Sequence, residues 1–397
     1  MRERIAYATL VGLVAYAAIA TDLYLPAIPA MVSSFGVSES DGQLTLSLFM
    51  FGFAGGQLFF GPLSDYYGRI PVVTAGTVFF LITSLACTLA FSMEFMWLAR
   101  FLQGTAAASG PVIARAIVRD RYHGSRAAEV MAVLAAAMAV IPLIAPTLGS
   151  WILVWFHWRA TYVALVVFAL LVLLGLRQFE ESAPAVGQGK IGINKVLRQF
   201  SRCLSQPRFI GYQICGTTSY SGLMSYLSTV PFFTRDVFAL KPQYFGYAFA
   251  VTVMGFMFGA LTSSRLVPRF GQNTTMGVGV CLSVASALLQ FYFAQQQPTP
   301  TLALAICSFS VFFGIGLTSA NASMGAISLF PKAAGAASAV FGFLHATTAA
   351  LVGLLAGQLY DGTLLPTATI MLACSTIGLL GIPLARERGE PLSDASL

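Results

Sequence analysis

Twelve long apolar runs fill nearly the whole chain, and this pattern constrains the fold before anything else. Runs of about 20 residues or more, without period-2 alternation, match helices that can cross a hydrocarbon layer. In lipid every backbone polar group needs an internal partner, which a helix supplies and an open strand does not. The pattern predicts spans at 5–35, 43–64, 70–91, 94–118, 127–155, 158–177, 208–236, 243–267, 273–295, 300–329, 334–359 and 363–385. Of the 397 residues, 57% are hydrophobic and 9% charged, against roughly 25% charged in soluble domains. The expected fold is an all-α membrane protein with twelve transmembrane helices.

The net charge of +7 is distributed by topology. Arg159, Arg235 and Lys241 fall on one side of the predicted spans and Arg100 within them; every other Lys and Arg falls on the opposite side. That is the positive-inside asymmetry. It predicts cytoplasmic termini, an even number of spans and no nucleic-acid partner. Arg2 and Arg4 imitate the start of a signal peptide, but their apolar run continues to about Phe35, so an uncleaved first helix is expected. The cysteines at 87, 203, 215, 281, 307 and 374 form no close pair, which argues against a disulfide framework or a zinc site.

One long hydrophilic break, 178–207, divides the chain into six spans and six. The predicted domains are a bundle at 1–177, a cytoplasmic linker at 178–207 and a second bundle at 208–397. Within the linker Ile193, Val196, Leu197, Phe200 and Leu204 recur at helical spacing, with Lys195, Arg198 and Arg202 between them. This suits a helix on an anionic membrane surface or a solvated linker helix. The halves repeat faintly: Gly68-Arg69 after the second span has a counterpart in Arg269-Phe270-Gly271 after the eighth. Such duplication suits transporters that rock one half on the other. Small residues form stripes at Gly52 and Gly56, at Gly255 and Gly259, along Ala135 to Gly149, and from Gly335 through Gly342, Gly353 and Gly357. Each stripe fits either static packing or a sliding seam. Pro142 and Pro146 predict a bend in the fifth span.

Asp22 and Arg100 are the carboxylate and the guanidinium placed well inside these runs. A charge at mid-membrane costs on the order of 3 kcal/mol, so each is a functional candidate by default. Burial and a nearby guanidinium would pull the protonation of Asp22 in opposite directions, which suits a proton carrier. Arginine stays charged, so Arg100 would tune a partner or bond backbone carbonyls rather than carry the proton. His345, the histidine within a span, fits a proton relay or a satisfied core residue. Gln57, Gln213, Asn321 and Gln358 are candidate polar contacts. Tyr24, Phe49, Met50, Phe53, Tyr220, Tyr226 and Phe341 are candidates for an adaptable apolar cavity.

The connection after the second span reads Gly61-Pro-Leu-Ser-Asp65-Tyr-Tyr-Gly68-Arg69-Ile-Pro71. It resembles the cytoplasmic signature of the major facilitator superfamily, and Arg100-Phe-Leu-Gln103-Gly104 resembles that superfamily's fourth-helix motif. Pro142 to Gly149 resembles its antiporter motif, with Ala145-Pro146 in place of the usual Gly-Pro core. Asp22-Leu-Tyr24-Leu-Pro26, Gln43-Leu-Thr45-Leu-Ser47, Gly52-Phe-Ala-Gly-Gly-Gln57 and Arg115-Ala-Ile-Val-Arg119-Asp120 resemble the Bcr/CflA drug-resistance branch most densely over 20–160.

The resemblance implies two six-helix bundles, proton-driven antiport and amphipathic drug-like substrates. It implies proton coupling at Asp22 and Arg100, and a conformational latch at Gly61, Asp65, Gly68, Arg69, Arg115 and Asp120. The expected protein is a monomeric inner-membrane transporter whose partners are a small amphipathic compound, protons and the lipid bilayer, with no cofactor and no metal. The alternative is a proton-coupled exporter of a specific metabolite, sugar or siderophore. No P-loop, His/Cys metal group or Ser-His-Asp set accompanies the spans, which disfavours an enzyme and excludes ATP drive by this chain alone.

Overall fold

The fold was analysed in a computed structural model, which describes residues 2–182, 193–296 and 298–386. The helices are α1 Arg2–Asp22, α2 Ile28–Phe35, α3 Glu39–Tyr67, α4 Arg69–Thr88, α5 Met93–Ala107, α6 Ser109–Arg121, α7 Gly124–Trp155 and α8 Arg159–Leu176. They continue as α9 Ile193–Leu204, α10 Pro207–Asp236, α11 Pro242–Phe270, α12 Gln272–Ala294, α13 Thr301–Ser328, α14 Ala334–Gln358 and α15 Leu365–Arg386. A 3-10 turn at Leu25–Ala27 joins α1 to α2, and another at Pro331–Ala333 precedes α14.

These elements make twelve rods at the predicted positions. The first rod is α1, the 3-10 turn and α2; the fourth is α5 followed by α6. Among the described residues, 10 rods are long and apolar enough to cross a membrane. The broken fourth rod and α10, which is rich in glycine, serine and threonine, complete the set. The outward faces carry exposed Leu171, Leu302 and Leu380, as a lipid solvent requires.

Local chemistry sets the element ends. Ser38 and Asp41 form a reciprocal capping box at the start of α3, satisfying two otherwise orphaned backbone donors. The Ser92 hydroxyl accepts from the Phe95 amide to start α5. Gly68 and Gly271 occupy equivalent turns with φ of +100° and +81°, conformations that glycine adopts without the Cβ penalty. The faint repeat therefore reflects one backbone solution used twice. The expected prolines lie inside α7, which runs unbroken through Pro142 and Pro146.

Asp65, Asp120, Arg269 and Arg386 share one end of the molecule, the basic end; Glu39, Arg159 and Arg235 share the far end. The linker helix α9 packs on α14 and α10. The linker residues 183–192, including Lys190, and the chain beyond 386 lie outside the described residues.

The glycine stripes divide into two kinds. Gly52 and Gly56 of α3 meet the α5 backbone at Phe101 and Thr105, and Gly104 of α5 meets Phe49 in return. Gly255 and Gly259 of α11 similarly meet the carbonyls of Phe309 and Phe313 on α13. Both are packing within one half. The α14 stripe differs, because Gly342 and Gly357 lie against Gln57 and Gln43 of α3. That contact joins the first six rods to the last six. The packing of α7 on α11, with Gly246 against Thr147, forms the second such seam.

Candidate functional site

Asp22 is the last residue of α1. Pro26 and Pro29 lack the amides needed to continue the helix, so the rod breaks there and restarts as α2. Gly149 of α7 fits directly against the Leu23 carbonyl, where a Cβ would have no room. A broken helix exposes carbonyls that have lost their partners. The break therefore places an acid at mid-rod beside backbone carbonyls that must take a donor from outside their own helix.

Arg100 of α5 supplies one of the missing donors. Its Nη1 donates to the Ala20 carbonyl at 3.1 Å and to Gln103 Oε1 at 2.6 Å. Gln103 Nε2 in turn donates to Ser84 Oγ at 2.8 Å. The guanidinium carbon lies 4.2 Å from the Tyr24 ring centroid, 4.4 Å from Phe49 and 5.9 Å from Tyr162. Aromatic faces attract a cation in such geometry. Arg100 Nε and Nη2 have no hydrogen-bond partner.

Of the two roles expected for Arg100, tuning a partner or bonding backbone carbonyls, the contact seen is the second, to the Ala20 carbonyl. No ion pair joins it to Asp22; Asp22 Oδ1 accepts from the Thr21 hydroxyl at 2.9 Å. Arg100 reaches Asp22 through the backbone, by tying down the carbonyl two residues earlier. Tyr24 and Phe49, expected in the cavity, instead enclose the guanidinium and are almost wholly buried. The Tyr24 hydroxyl pairs with Thr45 Oγ1 at 3.1 Å.

Tyr220 of α10 lies within electrostatic reach of the Asp22 carboxylate. Its ring stacks on His345 of α14 with centroids 4.3 Å apart, and Phe341 lies 5.4 Å beyond. Tyr220 and His345 are partly exposed, and His345 Nδ1 has no hydrogen-bond partner. His345 is therefore not a satisfied core histidine. Gln213 Nε2 donates to Thr217 Oγ1 at 2.5 Å and its Oε1 is unpaired.

The other candidates separate. Phe53 and Gln57 are half-buried on α3, with Gln57 in the seam against Gly342. Met50 is buried in the core, and Gln358 is exposed. Tyr226 hydrogen-bonds Thr252 at 3.1 Å and packs edge-on to Phe233 and Phe312. Asn321 donates to Ser263 Oγ at 2.8 Å and its carbonyl accepts from Gln272. Both are internal ties of the second half, away from Asp22. Their polar atoms are spent on neighbouring helices.

At the basic end Arg69 donates to Asp65 Oδ1 at 2.5 Å, Asp120 Oδ2 at 2.9 Å and Ser64 Oγ at 2.8 Å. This joins α3, α4 and α6. Gly61 accepts from the Ser64 hydroxyl through its carbonyl. Arg115 does not join the cluster; it is exposed and donates to the Pro111 carbonyl of its own helix. Glu181 does join, although the motif gave no sign of it. Its carboxylate accepts from the Arg69 and Ile70 amides at 2.8 and 3.1 Å. It anchors the chain after α8 to the start of α4, where a negative charge is favoured. A Cβ at Gly68 would strike this carboxylate, 2.6 Å from its oxygen.

Comparison with known proteins places this architecture. The Major Facilitator Superfamily profile matches residues 10–354. The MFS-type transporter YdgK of Bacillus subtilis is 30% identical, covering 98% of this chain and 97% of its own. A bicyclomycin resistance protein homolog of Haemophilus influenzae is 27% identical over 90% of each chain. Multidrug resistance protein MdtL of Klebsiella pneumoniae is 28% identical over 90% of each. The crystal structure of the human organic anion transporter MFSD10 matches with TM-score 0.70 and 18% identity, covering 97% of this chain and 99% of that one. With relatives aligned along almost its entire length and the profile spanning most of its twelve rods, the chain belongs to the Major Facilitator Superfamily.

Proposed function

We propose that the protein is a proton-coupled exporter of amphipathic drug-like compounds, working by alternating access as a monomer in the inner membrane with both termini cytoplasmic. Its relatives named for bicyclomycin and multidrug resistance support the substrate class. The cation asymmetry supports the orientation, making the basic end cytoplasmic and the far end periplasmic. The halves 1–177 and 208–397 would rock on the α3–α14 and α7–α11 seams, with 178–207 as the tether.

The observation that carries this reading is Asp22 itself. It is a buried carboxylate at a helix break with, among the described residues, no ion pair, and Tyr220 of the other half, stacked on His345, lies within electrostatic reach of it. Without a fixed counter-cation, the carboxylate is free to exchange a proton for a cationic substrate. A proton taken at the far end and released at the basic end would drive the opposite movement of the compound. The aromatic pair offers apolar faces, and the hydroxyl and ring nitrogen offer orientation.

The test is transport by purified protein in proteoliposomes under an imposed pH gradient, with a panel of amphipathic cations, neutral aromatics and sugars. Gradient-dependent export of the first two classes is expected. Export of sugars alone, or gradient-independent transport, would overturn the reading.

A further inference from the structure

The lipid-facing side of the second half carries a groove of about 540 Å³ between α12 and α15, at the basic end. Thr274, Val278, Cys281 and Leu282 line it from α12, and Ile382 and Arg386 from α15. These positions recur at helical spacing, so each helix gives one face to the groove. Val278, Cys281 and Arg386 are exposed. The groove therefore opens outward, where the same two helices also expose Leu288, Ile377 and Leu380.

Its chemistry changes with depth. At the mouth the Arg386 guanidinium lies over α12. A Cβ at Gly277 would stand 3.5 Å from Nη2 and 3.8 Å from Ile382 Cγ2. Bare glycine there lets the cation rest on the helix surface. Thr274 is one turn nearer the start of α12, which begins at Gln272, so the positive end of the helix dipole lies at the same mouth. Asn273 fastens the two helices by donating to the Ala385 carbonyl at 3.4 Å. Cys281 and Leu282 lie about 10 Å deeper than Thr274 by helical rise and offer apolar surface.

The charge at the mouth is uncompensated by this half. Its carboxylates among the described residues are Asp236 and Asp361. Tyr360, beside Asp361, donates to Asp236 at the opposite end of the molecule. In the first half, by contrast, Arg69 is bracketed by Asp65 and Asp120. A guanidinium at headgroup depth above an apolar trough complements a phosphate that carries acyl chains. A zwitterionic headgroup brings its own cation to such a site, and an anionic one does not. We propose that this groove binds an anionic phospholipid, with its headgroup on Arg386, Thr274 and the start of α12, and one acyl chain along Val278, Cys281, Leu282 and Ile382. The bound lipid bridges α12 and α15. The inference is independent of Asp22 and of the exported compound, and requires only that the rods span a bilayer.

The test uses the full chain in phosphatidylcholine nanodiscs. A trace of photoactivatable phosphatidylglycerol or phosphatidylcholine is added, each with a diazirine in its acyl chain. Adducts on residues 278–282 are quantified by peptide mass spectrometry. The anionic probe should label this segment about fivefold more than the zwitterionic one, the factor that one cation at the membrane surface supplies. Arg386→Gln, at an exposed helix end, should bring the two probes to parity. Gly277→Leu keeps the charge but fills the trough, and should cut labelling several-fold. Arg265→Gln removes an exposed cation at the same end but outside the groove, and should leave the preference intact. Parity in the wild-type protein, or a preference that survives Arg386→Gln, would overturn the inference. An equal loss with Arg265→Gln would mean a diffuse surface field rather than a site, and would overturn it too. If Gly277→Leu misfolds, the two arginine variants decide alone; undiminished labelling of a folded Gly277→Leu protein would remove the chain from the groove. Excess inorganic phosphate should leave the adducts in place, and their displacement would replace the lipid with a free anion.

Discussion

The Arg100 guanidinium gives its Nη1 to the Ala20 carbonyl and to Gln103, while aromatic rings cover it. Removing it leaves the Ala20 carbonyl and the Gln103 amide oxygen without their strongest donor. Orphaned buried groups cost about 1–3 kcal/mol each. Arg100→Ala should therefore destabilise the protein by about 2–4 kcal/mol, visible as a lower midpoint in thermal unfolding in detergent. Arg100→Lys should recover only part, since an ammonium lacks the planar fork. A shift of about one unit or more in the pH profile of Asp22, without loss of stability, would restore the direct ion pair that the structure replaces. Asp22→Asn keeps the shape and removes the titration. It should abolish transport driven by a pH gradient, by a hundredfold or more, while the protein remains folded and monodisperse. Gradient-driven transport at the wild-type rate would move the proton site elsewhere, with His345 the next titratable group. Asp22 and Arg100 were both legible in the sequence because charges are so rare within the runs. Their separation was not, because a long, flexible side chain reaches a backbone carbonyl as readily as a carboxylate.

At the level of the element, the start of α4 shows how one acid can organise a turn. The Glu181 carboxylate takes the first two amides of α4, and Gly68 leaves room for it. Glu181→Ala should free both amides and cost about 1–2 kcal/mol. Hydrogen–deuterium exchange at residues 69–72 should rise, and Glu181→Asp, with its shorter reach, should restore little. Unchanged exchange would mean that Arg69, Asp65 and Asp120 hold the turn without Glu181. The sequence marked Asp65, Arg69 and Asp120 through a local motif. Glu181 lies more than a hundred residues away from Arg69 in a linker, and no spacing rule connects a linker acid to a distant helix start. The same limit explains the glycine stripes. Spacing shows that a face is smooth, but only the neighbour decides whether it packs within a half, as at Gly52, or across the halves, as at Gly357.

Across the whole molecule, the far end is tied by charge. Arg235 of α10 pairs with Glu39 of α3 and, at 2.6 Å, with Asp236. Tyr360 donates to Asp236 at 3.0 Å. Burial, reinforced by the Asp236 carboxylate, pushes the Tyr360 hydroxyl upward, so it remains a donor throughout the physiological range. The Glu39–Arg235 pair joins the two halves and must break if the far end opens. Partly exposed pairs are worth only about 0–1 kcal/mol, so the clasp biases the equilibrium rather than locking it. Glu39→Gln should shift the open-to-closed ratio at the far end by up to about fivefold, that energy taken through RT. Spin-label distances between the halves would report it. The charge-reversed pair Glu39→Arg with Arg235→Glu should restore part of the closed population. A distance distribution unaffected by Glu39→Gln would remove the clasp from the conformational cycle.

The sequence alone determined the solvent, the number of spans, the buried acid and the motif at the basic end. Each follows from local rules: run length against bilayer thickness, the cost of charge in hydrocarbon, and glycine where φ is positive. Tertiary structure decided which polar atoms met. It gave Tyr24 and Phe49 to the guanidinium, bonded Arg115 to its own helix, tied Asn321 and Tyr226 into the second half, and stacked Tyr220 on His345. A helix can present any of its faces to a neighbour. Which face it presents depends on the packing of all the other helices, and no single run carries that information.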